Sequence, residues 1–412
     1  MPRSAIVSFL TALWLATANA GDLRLAGDGL DEICARCERE LVGEVAPFWL
    51  KHSVDAQDGG FITCLDRNGA PYDTFKHLWM QWREVYMFAA LWNAGYRDPA
   101  YLKVAEEGFR TLFAKARRSD GSYHYLMTRD WQVISDVDGG QEVFTESFAA
   151  VAAAELYRAT KKPEYRDEAF SAYDIYRRNT SAGSGKYDLL AYPMIELNVL
   201  QVLRGAFGGR DADIDRCVRE IRRFAHPETG IMYERAPKAG GFELDTQFGR
   251  FVNPGHALEG LSFIMRRLME KPDPELLAWT LKETKIMGEF GWDGVEGGIW
   301  YFRDGLGKPM SRHEYFLKAW WPQTEAANAM LMAYALSGDR YFLDFYRKID
   351  RFAHERLRDP QDGEWFAYAP VGGRAFHDYK GSRFKGCFHI PRHLLTVIQV
   401  IKQQRQKRST DK

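Results

Sequence analysis

One phrase recurs along this chain of 412 residues: an acidic residue, one or two glycines, then aromatic and β-branched residues in alternation. It reads "DGGFITCL" at 58–65, "DGSYHYLM" at 120–127, "ETGIMYER" at 228–235, "EGGIWYFR" at 296–303 and "DGEWFAYA" at 362–369, with "GSGKYDLL" at 183–190 as a weaker sixth copy. Most copies stand about 65 residues apart, and glycine followed by alternation predicts a turn feeding a short, half-buried strand. The segments between copies carry helical periodicity, predicting helices near 29–51, 76–96, 99–117, 142–160, 164–178, 191–206, 211–225, 254–270, 274–291, 318–337, 340–357 and 390–405. Helix pairs repeated six times cannot each bury a face alone, so an all-α array is expected, closed into an inner and an outer ring of six with short β-hairpins between the helices.

The expected outer helices begin the pairs and carry broad charged faces, as in "PAYLKVAEEGFRTLFAKA" and "DRYFLDFYRKIDRFAHERL". The others, such as "FTESFAAVAAAELY" and "PGHALEGLSFIM", are apolar or small almost all round, as suits an element buried on several sides. No linker rich in Pro, Gly or Ser marks a second domain, and a content of 46% hydrophobic and 14% aromatic residues suffices for one large core.

The first twenty residues, "MPRSAIVSFLTALWLATANA", combine a lone Arg3, an apolar stretch and a small-residue end, so residues 1–20 are expected to be a signal peptide and 21–412 a single mature domain, periplasmic or secreted. The apolar stretch is shorter than the roughly 20 residues that a membrane span needs. Without it, 55 Lys+Arg face 56 Asp+Glu, a net charge of −1 that advertises no polyanionic partner. Of the five cysteines, Cys34 and Cys37 form a C-x-x-C with neither a βαβ context nor a second pair for zinc, which leaves buried thiols or one local disulfide.

Unusual polar residues fall near the starts of the even-numbered helices: Arg83, Glu146, Asn198, His256, Glu259, Lys318, Glu325 and His389. The stretch "RFKGCFHIPRHL" at 383–394 adds Arg392 and His393 just ahead of the last apolar run. If alternate helices form a parallel inner ring, these residues meet at one mouth, where buried charge must be paired or used. Taken singly, each has a plainer reading. Glu259 can pair with His256 across one turn, and "WWP" at 320–322, with Trp321 at its centre, can be a packing plug. His389 and His393 have the spacing of metal ligands but no H-E-x-x-H and no third ligand nearby, and "GSGK" at 183–186 lacks the P-loop spacing.

The phrases "FWLKHSVDAQDGGFITCLDRNG", "WMQWREVYMFAALWN", "GRFVNPGHALEG", "LKAWWPQTEA", "DPQDGEWFAY" and "FKGCFHIPR" resemble the N-acylglucosamine 2-epimerases, also called renin-binding protein. The resemblance runs from about residue 48 to 393 and implies an (α/α)6 barrel. It further implies that His256 and His389 are the catalytic pair, with Arg83 and Glu325 as sugar-binding partners and Asn198 and Arg250 matching the N-acylglucosamine branch. Inverting a carbon beside an aldehyde requires removal of the C2 proton and its return to the opposite face, which suits two histidines with ordinary pKa values near 6.5. Arg83 and Lys318 are expected to stabilise the developing oxyanion, Glu259 and Glu325 to fix the imidazole tautomer or help open the ring, and the tryptophans, Trp321 among them, to floor the site; Glu146 completes the substrate-binding set.

No metal and no cofactor is called for. The expected partner is a monosaccharide, with no nucleic acid, no membrane once the leader is removed, and a homodimer left open. Reprotonation at C1 instead of C2 would give a ketose, as in mannose isomerases. A glycoside hydrolase would draw two carboxylates from Glu146, Glu259 and Glu325 and leave the paired histidines unexplained, and a non-catalytic sugar-binding protein would not need both.

Overall fold

The computed structural model describes residues 29–410 except 138–139, 182–184 and 370–376, so the expected signal peptide lies outside the described residues. Helix α1 (Leu30–Glu40) continues through a π-helical turn (Leu41–Val45) into α2 (Ala46–His52) as one rod, because the junction residues Glu40 and Ala46 keep helical backbone angles. Eleven further helices follow: α3 (Leu78–Asn93), α4 (Pro99–Lys115), α5 (Thr145–Thr160), α6 (Pro163–Ser181), α7 (Ala191–Phe207), α8 (Asp211–Arg222), α9 (Pro254–Glu270), α10 (Pro274–Gly291), α11 (Trp320–Ser337), α12 (Arg340–Arg356) and α13 (His389–Thr410). With the first rod counted once, these are the twelve expected helices.

The odd-numbered helices from α3 to α13 form the inner ring, each packed on the next, and α13 returns to α3. Their composition dictates this position. Every residue of α11 from Trp320 to Tyr334 is buried, and so is every residue of α3 from Leu78 to Leu91. The outer helices are one-sided and have their own start signals: Asp98, Asp273 and Asp339 each cap a first turn with a side-chain oxygen, and Pro99 and Pro274 take early positions that need no N–H donor. The architecture is thus the expected (α/α)6 barrel.

The pairing phase differs from expectation. Each outer helix packs mainly on the inner helix before it, α4 on α3 and α12 on α11, and the first rod packs on the last inner helix, α13. The rod therefore closes the ring instead of opening a pair. Ion pairs fasten it to α12 and its exit: Arg36 to Asp350 at 2.6 Å, His354 Nε2 to Glu40 at 3.0 Å, and Arg358 Nε to Glu44 at 3.0 Å.

Five of the repeated phrases make the same turn at the foot of an outer helix, shown by the bridges Val54–Phe61, Arg117–Tyr123, Ala225–Met232, Trp292–Ile299 and Arg358–Trp365. Three of these turns are held by a buried lysine on an aspartate: Lys76–Asp55 (2.8 Å), Lys318–Asp293 (2.6 Å) and Lys380–Asp359 (3.1 Å). In the sixth copy the strand Tyr187–Leu189 pairs antiparallel with Arg235–Pro237. All five cysteines are buried free thiols, so Cys34 and Cys37 are not joined. Among the described residues no helix is long and apolar enough to cross a membrane.

Candidate active site

The strands that leave the repeated turns run to the N-terminal ends of the inner helices. The backbone of Tyr125 accepts from Leu78 N–H (2.9 Å), that of Glu234 from Leu190 N–H (3.0 Å) and that of Ala367 from Trp320 N–H (3.0 Å). This end of the barrel gathers the chemistry.

His256 lies in the first turn of α9, where Pro254 starts the helix and Asn253 Oδ1 accepts from the His256 N–H at 3.3 Å. Its Nδ1 faces both carboxylate oxygens of Glu234, at 2.9 and 3.0 Å. His389 is the first residue of α13, and its Nδ1 faces Glu325 Oε1 at 2.9 Å. Trp321 touches both rings, with centroids 5.1 Å from His256 and 5.7 Å from His389, each tilted by under 40°. That approach depends on Gly255, where a Cβ would come within 2.5 Å of the Trp321 ring. Nε2 of neither histidine has a protein partner among the described residues.

Below His389, Arg392 Nη2 donates to Glu325 Oε1 (2.6 Å) and Glu259 Oε1 (2.5 Å) and lies 3.4 Å from His389 Nδ1. Glu259, Glu325 and His389 present ligand atoms within 4.8 Å of one another, the spacing of a metal cluster, yet the cation they hold is this guanidinium. The Nδ1 of His393 meets Asn328 Oδ1 at 2.7 Å.

Arg83 sits on α3 among three rings, its Cζ 4.5 Å from the centre of Trp79, 4.1 Å from Phe148 and 4.7 Å from Phe388, the residue before His389. Among the described residues it has no carboxylate partner, and its buried Nε lacks a hydrogen-bond acceptor. An unpaired buried guanidinium is costly unless a ligand supplies the anion.

The two histidines are tuned apart. Burial opposes a charge on His256, but the Glu234 carboxylate outweighs it and holds the imidazole above its ordinary value. Burial pushes His389 down to about 3; Glu325 works against this, and the cations Arg392 and Arg83 reinforce it. Burial raises Glu325, but Arg392 and the hydrogen bond to His389 dominate and lower it to about 2. Burial and the Glu325 charge raise Glu259. Burial draws Arg83 down to about 9. The two shifts run in opposite directions, so His256 holds a proton more readily than an ordinary imidazole and His389 far less readily.

Three expected site residues are engaged elsewhere. The Lys318 ammonium is fully buried on Asp293, as Lys76 is on Asp55, and clasps a turn instead of facing substrate. Glu146 Oε1 accepts from Tyr123 N–H at 3.0 Å, fastening the second turn. Arg250 is held by Asp304 (2.9 Å) and by the Leu244 carbonyl (3.0 Å) and braces the rim loop. Asn198 is buried on α7 with its Oδ1 unpartnered. Sequence reasoning missed Glu234 as the partner of His256, Arg392 as the cation behind His389, and Glu84, whose Oε1 accepts from Cys387 N–H at 2.9 Å and whose carboxyl burial raises to about 8. A trace of Glu234 exists: its place in the repeated phrase is filled by Tyr125, Tyr301 and Ala367 in other copies, so a charge there is an exception.

The sequence profile of the N-acylglucosamine 2-epimerase (GlcNAc 2-epimerase) family matches residues 60–187 and 216–390. The N-acylglucosamine 2-epimerase of Homo sapiens is 34% identical over 387 residues, covering 88% of this chain and 90% of that protein. Among solved structures, the cellobiose 2-epimerase of Bacillus thermoamylovorans superposes with a TM-score of 0.78 at 18% identity, covering 90% of this chain and 99% of that one. The cellobiose 2-epimerase of Spirochaeta thermophila gives 0.76 at 19%, over 91% and 98%. At these identities the structural likeness speaks for the fold. Fold and relatives define an enzyme of the isomerase class that acts on sugars. The chain belongs to the N-acylglucosamine 2-epimerase family.

Proposed function

We propose that the protein inverts C2 of an open-chain N-acylated or unsubstituted aldose, with His389 and His256 acting on opposite faces. The carrying observation is the pair of rings on Trp321, each with Nδ1 on a carboxylate and Nε2 without a protein partner among the described residues. Neutral His389 takes the C2 proton on Nε2, and the C–H electron pair forms the C1–C2 double bond while the carbonyl electrons move to O1. Arg83 meets the charge that develops on O1. Protonated His256 then gives its Nε2 proton to the other face of C2 as the C1 carbonyl reforms. The sugar keeps its composition, the two histidines exchange protonation states, and the reverse reaction runs the same path.

An N-acylated hexosamine is the favoured substrate, because the relative at 34% identity carries the name N-acylglucosamine 2-epimerase. Incubation with N-acetyl-D-mannosamine in D₂O, followed by NMR, tests this. Deuterium at C2 of the N-acetylglucosamine product supports the reading, whereas a ketose product or faster turnover of cellobiose overturns it.

A further inference from the structure

The two-histidine reading leaves the carboxylate behind His256 without a role. Glu234 stands just before the strand Arg235–Pro237, with its backbone fixed on both sides: its N–H donates to the Phe251 carbonyl and its C=O accepts from Leu190 N–H, both at 3.0 Å. Both of its oxygens face one atom, His256 Nδ1. The charged and titratable groups around His256 are Glu234 from this strand and Glu259 from its own helix; α11 contributes only the neutral Trp321. Among the described residues no cation acts on the imidazole itself; Arg235, next to Glu234 in the chain, feels that carboxylate's charge.

His389 is built the other way. Its carboxylate is shared with Arg392, whose Nη2 also comes within 3.4 Å of the imidazole Nδ1. A positive charge on that ring would meet a positive neighbour, whereas one on the His256 ring meets only carboxylates. Two imidazole–carboxylate pairs of similar length, 2.9 Å each, thus have opposite electrostatic surroundings. Two opposed bases can begin a turnover only if one carries a proton and the other does not, and this arrangement provides the difference in the resting site.

We propose that Glu234 is the positioning residue that fixes the His256 proton on Nδ1 and holds the ring as imidazolium, making His256 the proton donor of the resting enzyme. The inference rests on the two-histidine reading. It agrees with the raised proton affinity of His256 and with Glu234 standing where the other repeats place Thr, Tyr or Ala.

The test uses the full chain. His256 is followed by NMR of its ¹⁵N-labelled imidazole, and kcat and KM for N-acetyl-D-mannosamine are measured from pH 5 to 9. In the wild type His256 should titrate above the ordinary value of about 6.5. Glu234→Gln should move that midpoint down by at least about one unit, carry the alkaline limb of kcat with it, and lower kcat about 10- to 100-fold with KM changed less than about threefold. Glu234→Asp, which keeps the charge, should restore part of the rate. A wild-type midpoint at or below 6.5, or a folded Glu234→Gln whose His256 titration and pH profile match the wild type, overturns the proposal; the wild-type midpoint decides even if the variant does not fold. His256→Asn separates the two readings. If it keeps its rate, the two-histidine reading falls. If it is inactive while Glu234→Gln behaves as wild type, only the role of Glu234 falls.

Discussion

Glu146 holds the place in its repeat that Gln81 holds in the preceding one. Each accepts from the first backbone N–H after a glycine turn, Glu146 from Tyr123 at 3.0 Å and Gln81 from Phe61 at 2.8 Å, and Gln81 also donates to the Phe61 carbonyl at 2.8 Å. Gln323 repeats the glutamine version on Ile299. A carboxylate can accept but not donate, and burial raises Glu146 from 4.5 to about 7. The folded carboxyl keeps its proton through a range in which the unfolded one loses it, so the wild type should lose stability as pH climbs from 4.5 to 7 and level off above. Glu146→Gln should be more stable than wild type by about 3 kcal/mol at pH 8 and equal to it at pH 4, read by denaturant unfolding.

His256→Asn and His389→Asn should each cut net epimerisation about 10²- to 10⁴-fold. They should differ in D₂O: His256→Asn retains exchange at C2 of the epimer whose proton faces His389, because one base can remove and return a proton on its own face. In the wild type the rate should be level on the acid side, since His389 stays neutral down to about 3, and should fall on the alkaline side as His256 loses its proton.

Arg83→Met should leave a folded protein of equal or greater thermal stability, because it removes an unpaired buried charge. Its kcat should drop about 10²- to 10³-fold, as expected when a donor to a developing oxyanion is lost. Differential scanning calorimetry beside the D₂O assay separates the two effects.

Lys318→Met should behave in the opposite way. It strands Asp293 without its partner and should cost about 3 kcal/mol of stability, while KM and kcat per folded molecule stay within about twofold of wild type. A selective loss of kcat in a stable variant would return Lys318 to the catalytic set.

Gly21 should be the first residue of the exported protein by mass spectrometry, and an intact Met1 on cytosolic material would refute export.

The ring was legible from the glycine phrases because each turn demands the same backbone. Gly59, Gly121, Gly230, Gly297 and Gly363 all have φ between 72 and 87°, which side chains avoid. His256 and His389 stood out as imidazoles at the starts of nearly unbroken apolar helices. The partners of such residues are harder to read. Glu234 reaches His256 from a hairpin 22 positions earlier, and Arg392 reaches Glu259 across 133, distances that only ring closure abolishes. Lys318 misled for the same reason: it sits two residues before helical Trp320 at the mouth, but its long side chain bends back to a turn.

Helix α13 both closes the ring on α3 and brings in His389, and the first rod lies against it. Nearly the whole chain must therefore be made before the candidate site exists, since Glu325 and Arg83 stand on earlier helices and His389 arrives last. If the two-histidine reading holds, an incomplete or clipped chain lacking that helix should be inactive instead of a poorly controlled catalyst. On that reading, assembly acts as a fail-safe: no aldose meets a half-built site.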